Sequence, residues 1–293
     1  MKHLCRALSL ATLFCASLAQ ANHFDNNNLS LNVGPTFNYA RFRFFQQDGD
    51  TITRLPGNTT GYMAGIHADL TYQACCGVFA RLRFDGRWNA GNFNRNFLFG
   101  TETFFRSDRF KVRDYRPEFN IGYTFAFGDC CDFSVTPYTG VGLIQLQVNR
   151  RFPDTTGVID PAIARDTRRR DVYVPVGVQL DWARSECFGI GLNAEYRIGV
   201  WNRFERNFFN TATTRQRIRT RRADSFLVEV PLTWQKETCH CFDWQFRVVP
   251  YFDWTRWGGL RRDEPVVTPP LTTADARLRM WYVGLHIDFG VNF

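Results

Sequence analysis

From Trp281 to Phe293 every odd position is apolar: Trp281, Val283, Leu285, Ile287, Phe289, Val291 and Phe293. The even positions Gly284, His286, Asp288, Gly290 and Asn292 are small or polar, with Tyr282 the amphipathic exception. A two-residue period sends successive side chains to opposite faces, so the stretch predicts a strand with one greasy and one polar face. It is about twice as long as a usual globular strand and suits a tilted membrane crossing, which takes roughly 9–11 residues.

The same alternation returns over 29–39 (Leu29, Leu31, Val33, Pro35, Phe37, Tyr39) and 62–73 (Tyr62, Ala64, Ile66, Ala68, Leu70, Tyr72). Residues 78–88 set Val78, Ala80, Leu82, Phe84 and Trp88 against Arg81, Arg83, Asp85 and Arg87. Residues 115–127 set Phe119, Ile121, Tyr123, Phe125 and Phe127 against Arg116, Glu118, Asn120 and Thr124. Further strands are predicted over 172–182, 190–200, 226–235 and 242–254. The stretch 133–148 alternates less cleanly and changes parity near Thr139, where a bulge is expected.

Ten long alternating strands are the pattern of an up-and-down transmembrane β-barrel, because in lipid every backbone group must be paired inside the protein and only a closed sheet does that with strands. A soluble β-sandwich would have shorter strands and bury its greasy face against a second sheet. The connections alternate too. Those near 74–77, 128–132, 185–187 and 236–241 are short, as periplasmic turns are, and those at 46–60, 89–110, 149–170, 201–223 and 256–277 are long and polar, as outer loops are. Phenylalanines 93, 97, 99, 104 and 105 make a further strand pair, and hence twelve strands, the alternative.

The first 21 residues read as a secretory signal peptide: Lys2 and Arg6, an apolar run from Leu8 to Leu18, then Ala19-Gln20-Ala21 as a small-residue cleavage site. The expected mature barrel is residues 22–293, in the bacterial outer membrane. Composition agrees. Aromatic residues make up 16%, with 29 phenylalanines, yet mean hydropathy is −0.30, because the aromatics are dealt out singly between polar residues.

Charge adds two populations of arginine. The net charge is +8, and Lys2, Lys111 and Lys236 are the only lysines among 36 basic residues. One population lies in the predicted outer loops: Arg150, Arg151, Arg165, Arg168 to Arg170, Arg203, Arg206, Arg215, Arg217, Arg219, Arg221, Arg222, Arg261 and Arg262. Guanidinium binds phosphate bidentately, so lipopolysaccharide phosphates or host polyanions are the expected partners there, and nucleic acid is not. The other population points inward by alternation: Arg81, Arg83, Arg87, Arg116, Arg197 and Arg247, accompanied by Asp69, Asp85, Glu118, Asp181, Glu195, Glu229, Asp243, Asp253 and Asp288. Two readings stand: a wet lumen whose facing charges select small ions and polar solutes, or a narrow barrel filled with paired charges.

Cysteine gives the most specific signal. Cys75, Cys76, Cys130, Cys131, Cys187, Cys239 and Cys241 all fall in the four short turns. Adjacent cysteines do not close comfortably on each other, since their Cα atoms sit about 3.8 Å apart and a relaxed disulfide wants about 4.4–6.8 Å. Seven is odd, so at least one thiol is free or bonded outside the chain. Cross-linking to copies of itself or to other envelope proteins, and stapling of the turns within the chain, are both open. Cys239-His240-Cys241 lacks a second ligand pair at zinc spacing, and no metal or other cofactor is expected. His67 and His286 sit mid-strand and inward, and no histidine lies in an outer loop, so catalysis at the rim is not expected.

An aromatic last strand ending in Phe293, cysteines confined to turns and arginine-rich loops resemble the cysteine-rich major outer membrane proteins and related pore-forming proteins of chlamydia-like and Legionella-type intracellular bacteria. The resemblance is architectural and covers the mature chain. It implies a porin whose cysteines cross-link the envelope, and it implies that Phe293 is the signal read by the assembly machinery. The chain is shorter than the larger members, which sets it apart from a wide general-diffusion pore.

Overall fold

A computed structural model describes residues 28–48, 51–54, 59–89, 93–99, 102–127, 133–151, 165–185, 187–208, 216–219, 223–236, 243–258 and 277–293. The segment proposed as a signal peptide lies outside them. The strands are β1 (Asn28–Asp48), β2 (Thr51–Arg54), β3 (Thr59–Gln73), β4 (Val78–Asn89), β5 (Phe93–Phe99), β6 (Glu102–Tyr123), β7 (Phe125–Phe127), β8 (Phe133–Arg151), β9 (Arg165–Ser185), β10 (Phe188–Phe208), β11 (Gln216–Arg219), β12 (Ala223–Glu229), β13 (Leu232–Lys236), β14 (Asp243–Trp257) and β15 (Arg277–Asn292).

All pairings are antiparallel, and β1 pairs with both β3 and β15, which closes the sheet. The wall has ten strands, as the alternation predicts. Two of them are interrupted. β7 continues β6 beyond Thr124, and β13 continues β12 in one register against β14 across Pro231, which has no N–H to give the ladder. The phenylalanine-rich stretch does hold an extra strand, β5, but it folds back on the outer end of β6 and the barrel still closes with ten.

Tracing paired residues once around the wall runs from Asn28 through Gln73, Phe79, Gly122, Tyr138, Gly177, Glu195, Leu227, Asp253 and Tyr282 to Ala40. The circuit returns to β1 twelve residues further on. With about 3.3 Å per residue and about 4.8 Å per strand, that stagger tilts the strands by about 40°. Outward aromatics mark two levels. Tyr39 and Tyr62 meet edge-on at 5.6 Å, and Trp88, Trp201, Trp254 and Trp281 share their end of the wall. Tyr72, Trp182, Trp234, Trp244 and Phe293 ring the turn end, all at least 40% exposed. The ten steps from Leu29 to Tyr39, at this tilt, span about 25 Å, the height of an outer-membrane apolar band. Phe293 completes the seam: its N–H donates to Leu29 O (2.9 Å) and its carbonyl accepts from the Leu29 N–H (3.3 Å).

Two expectations are corrected. No register shift interrupts β8, whose pairing with β6 and β9 keeps one register from Phe133 to Arg150. Thr139 is a polar outward residue with Val141 and Leu143 still outward beyond it, and the surroundings change above Leu143. Below it Phe133 and Pro137 face outward, while further up Gln145 and Gln147 face outward and Ile144, Leu146 and Val148 are buried inside. The strand has left the bilayer, so its polarity inverts while the ladder continues. The register shifts in β10 instead, once between Phe188 and Gly189 and once between Gly199 and Trp201, where Val200 and Trp201 are both exposed, at 61% and 42%. Much of the expected outer loops is strand for the same reason as in β8: β6 begins at Glu102, β9 at Arg165, and β10 runs on to Phe208. Above the bilayer the outward positions need not be apolar, and a polar strand reads as a loop.

Candidate functional site

The inward residues form three layers. At the turn end lies a polar cavity of about 340 Å³ lined by Asp69, Thr71, Arg81, Gln179, Asp181 and Arg247 among others. The middle layer is charged. Arg81, Arg83, Arg87, Arg116 and Arg197 are at most 5% exposed, and Asp69, Asp85, Glu118, Glu195, Glu229, Asp253 and Asp288 are equally or nearly as buried. Alternation along β3, β4, β6, β10, β12, β14 and β15 brings them all to one compartment.

There they pair across the barrel. Arg83 grips Glu229 with both terminal nitrogens and donates Nε–H to Asp85 Oδ2 (3.1 Å). Asp253 gathers three cations on one oxygen: Arg116 bonds Oδ2, Arg87 donates to it at 3.4 Å and Arg197 lies 3.5 Å away. Arg197 also bonds Glu195 and lies 3.3 Å from Glu118. Burying such charges is costly unless they are paired and hydrogen-bonded, as Arg83 with Glu229, Arg116 with Asp253 and Arg197 with Glu195 are, whereas both oxygens of Asp288 are buried without a hydrogen-bond partner. Of the other residues expected to face inward, Arg247 and Asp181 line the cavity, and Asp243 is half-buried at the first position of β14.

Tyrosine holds the network in place. Tyr173 donates to Glu118 Oε2 (2.6 Å), and the Tyr138 hydroxyl lies 2.7 Å from Asn193 Oδ1 and 2.8 Å from Glu195 Oε2. Each ring lies flat over the glycine directly opposite it on the next strand: a Cβ on Gly142 would stand 2.2 Å from the Tyr173 ring, and one on Gly177 2.4 Å from the Tyr138 ring. These glycines permit the close approach, as aromatic residues elsewhere cover strand glycines. The residue-by-residue reading misses Asp114, which is 0% exposed and lies 2.9 Å from Arg116, and it misses the tyrosines. The usable signal was an inward glycine facing an inward tyrosine once the register is known.

The outer layer is apolar: Phe42, Val112, Leu146, Trp257, Leu278 and Met280, each at most 2% exposed. Trp257 donates its indole N–H to the buried carboxylate of Asp171. Arg169, an expected loop arginine, instead turns inward and lies over the Phe204 and Trp257 rings at 4.7 and 5.6 Å. Outside, just above the upper aromatics, the outward positions carry a collar of cations. Arg41 and Arg43 lie over the Trp281 ring at 4.9 and 4.7 Å, Lys111 and Arg113 are exposed, and Arg168, Arg170, Arg203, Arg256 and Arg279 are half-exposed. On the turn side Cys75, Cys76 and Cys187 are exposed. Gly77, at φ 87°, donates to Ala74 O and closes the turn that carries the first pair. Cys130, Cys131, Cys239 and Cys241 lie outside the described residues.

No protein-family model and no curated protein matches the chain. Solved structures do. The outer membrane protease OmpT from Escherichia coli superposes with a TM-score of 0.54 at 12% identity, covering 92% of this chain and 97% of that one. The fold is that of an outer-membrane β-barrel. Looser matches are Ail, the attachment invasion locus protein of Yersinia pestis (TM-score 0.30, 10% identity, 90% and 99% covered), and the toluene transporter TodX of Pseudomonas putida (0.34, 8%, 92% and 89%). At such identities the likeness extends to the wall and leaves the interior to be understood from its own residues.

Proposed function

We propose that the protein is a sealed outer-membrane barrel whose surfaces do its work: the cationic collar holds phosphate-bearing lipid or other polyanions, and the turn thiols tie it to the envelope. The observation that carries this reading is the filled interior, an ion-paired layer beneath an apolar cap. Facing charges that bond each other directly leave no hydrated path for a solute, and a ten-strand wall is far narrower than the 16–18 strands associated with aqueous channels. In planar bilayers the inserted protein is expected to give no unitary conductance steps, and reproducible ion-selective steps would overturn the reading.

A narrow porin for ions or small polar solutes is the second reading, favoured by the polar cavity of about 340 Å³ at the turn end. On that reading the same recordings show steps that vanish when Arg81 and Arg247 at its walls are replaced by methionine.

The collar sits at the level of lipid phosphates, where each exposed arginine can bond a phosphate in the plane of its guanidinium. Replacing Arg41, Arg43, Arg256 and Arg279 with glutamine is expected to slow refolding several-fold into lipopolysaccharide-containing vesicles and to leave refolding into zwitterionic ones unchanged. For the thiols, disulfide-linked multimers are expected on non-reducing gels of intact envelopes and are abolished by prior thiol blocking. Monomers under both conditions would sink the cross-linking role.

A further inference from the structure

Within the charged layer, His67 on β3 and His286 on β15 stack at 4.2 Å with 27° between their planes, and Tyr251 stacks on the far face of His286 at 4.3 Å. His67 is 3% exposed and His286 is 0% exposed. His67 Nδ1 lies 2.9 Å from Asp85 Oδ1, while His286 Nε2 lies 3.9 Å from the same oxygen and 3.8 Å from Glu229 Oε1. One ligand atom each from His67, Asp85 and His286 can be chosen so that all lie within 4.8 Å of one another.

We propose that this cluster binds one divalent transition ion of zinc type, held by His67 Nδ1, Asp85 Oδ1 and His286 Nε2, with a water completing the shell. Two imidazoles with one carboxylate are a zinc-type donor set, and a tetrahedral ion at about 2.0–2.2 Å from each ligand needs ligand atoms about 3.3–3.6 Å apart, between the 2.9 Å from His67 Nδ1 and the 3.9 Å from His286 Nε2 to Asp85 Oδ1. Three further observations point to a cation. Both ring nitrogens of His286 and both carboxylate oxygens of Asp288 are buried without a hydrogen-bond partner. Among the described residues of the charged layer, with Asp114 included, eight buried carboxylates face five buried arginines, so carboxylates outnumber guanidiniums there. A small void of about 20 Å³, lined by His67, Arg83 and Glu229 and sharing Asp69, Arg81 and Arg247 with the large cavity, adjoins the cluster, room for one water or ion on a route from the turn end.

The arginines stay compatible with this. Arg83 and Arg87 address Asp85 through Oδ2, at 3.1 and 3.7 Å, which leaves Oδ1 for the ion. With Nδ1 on the ion, His67 carries its proton on Nε2, which faces Asp288 Oδ2 at 3.8 Å.

The test uses the full mature chain refolded in detergent, stripped with a chelator and alkylated so that thiols cannot bind metal. After addition of Zn²⁺ and desalting, about one equivalent is expected to remain on the wild type. His67→Gln and His286→Gln, each confirmed as folded by fast migration of the unheated protein on gels, are expected to weaken retention at least ten-fold. No retained zinc on the wild type, or unchanged retention in both folded variants, would overturn the site. Should the variants not fold, zinc-edge X-ray absorption on the wild type decides: two imidazoles in the first shell support the proposal, and none or one overturns it.

Discussion

Asp253→Ala is expected to destabilise the barrel by about 3–5 kcal/mol. The carboxylate is 1% exposed and is the common acceptor of Arg87, Arg116 and Arg197, which come from three other strands. Truncating it leaves three buried guanidiniums facing one another where a carboxylate stood. Asp253→Asn keeps the shape but not the charge and should fall between wild type and alanine. Urea unfolding of the refolded protein in vesicles measures all of these. The decisive control is the double variant Asp253→Ala with Arg116→Met, which removes one orphaned charge and should recover part of the loss. A loss below about 1 kcal/mol would mean that water reaches this layer and screens the charges, and would reopen the reading of the interior as wet.

Trp257→Ala is the corresponding change in the apolar cap, with an expected cost of about 3–5 kcal/mol. The ring is 0% exposed, packs within the cluster that includes Leu278, Met280 and Val112, and carries the N–H that satisfies Asp171. Its removal opens a cavity and strands a buried carboxylate at once. Bilayer recordings on the same variant separate the two closures. Because the ion-paired layer lies beneath the cap, Trp257→Ala is expected to stay silent although destabilised. Conductance in this variant would show that the cap alone closes the barrel.

The strand number, the lipid-facing residues and the inward charges were legible in the sequence because a bilayer enforces apolar outward positions over its thickness, with Thr139, whose hydroxyl donates to Pro175 O, a polar exception. Leu31, Leu82, Phe119 and Val283 could not be anything else. Legibility stops where the lipid stops. In β8 the alternation does not end at Thr139 but inverts above Leu143, with Ile144 inside and Gln145 outside, and a period that changes sign looks like a bulge. The true bulge, at Val200 and Trp201, was hidden because both of its residues are apolar and either parity satisfied the pattern. The pairing partners of the inward charges were not readable at all. Which arginine meets which carboxylate depends on the stagger of the closed sheet, and that is a property of all ten strands together. His67 and His286 illustrate this: 219 residues apart in the chain, they become stacked neighbours only when β15 is laid beside β1.

That seam also sets the order of assembly. The links to Asp253 span 166 residues from Arg87 and 137 from Arg116, so they form only after nearly the whole sheet exists. A partly built sheet would carry a row of unpaired charges on one face and two open edges in hydrocarbon, both strongly disfavoured. Partly inserted states are therefore the high-energy ones, and non-local closure of this kind is slow. Refolding into vesicles should proceed as one late, concerted step in which membrane insertion, edge pairing of Leu29 with Phe293, and burial of the charges share a single rate.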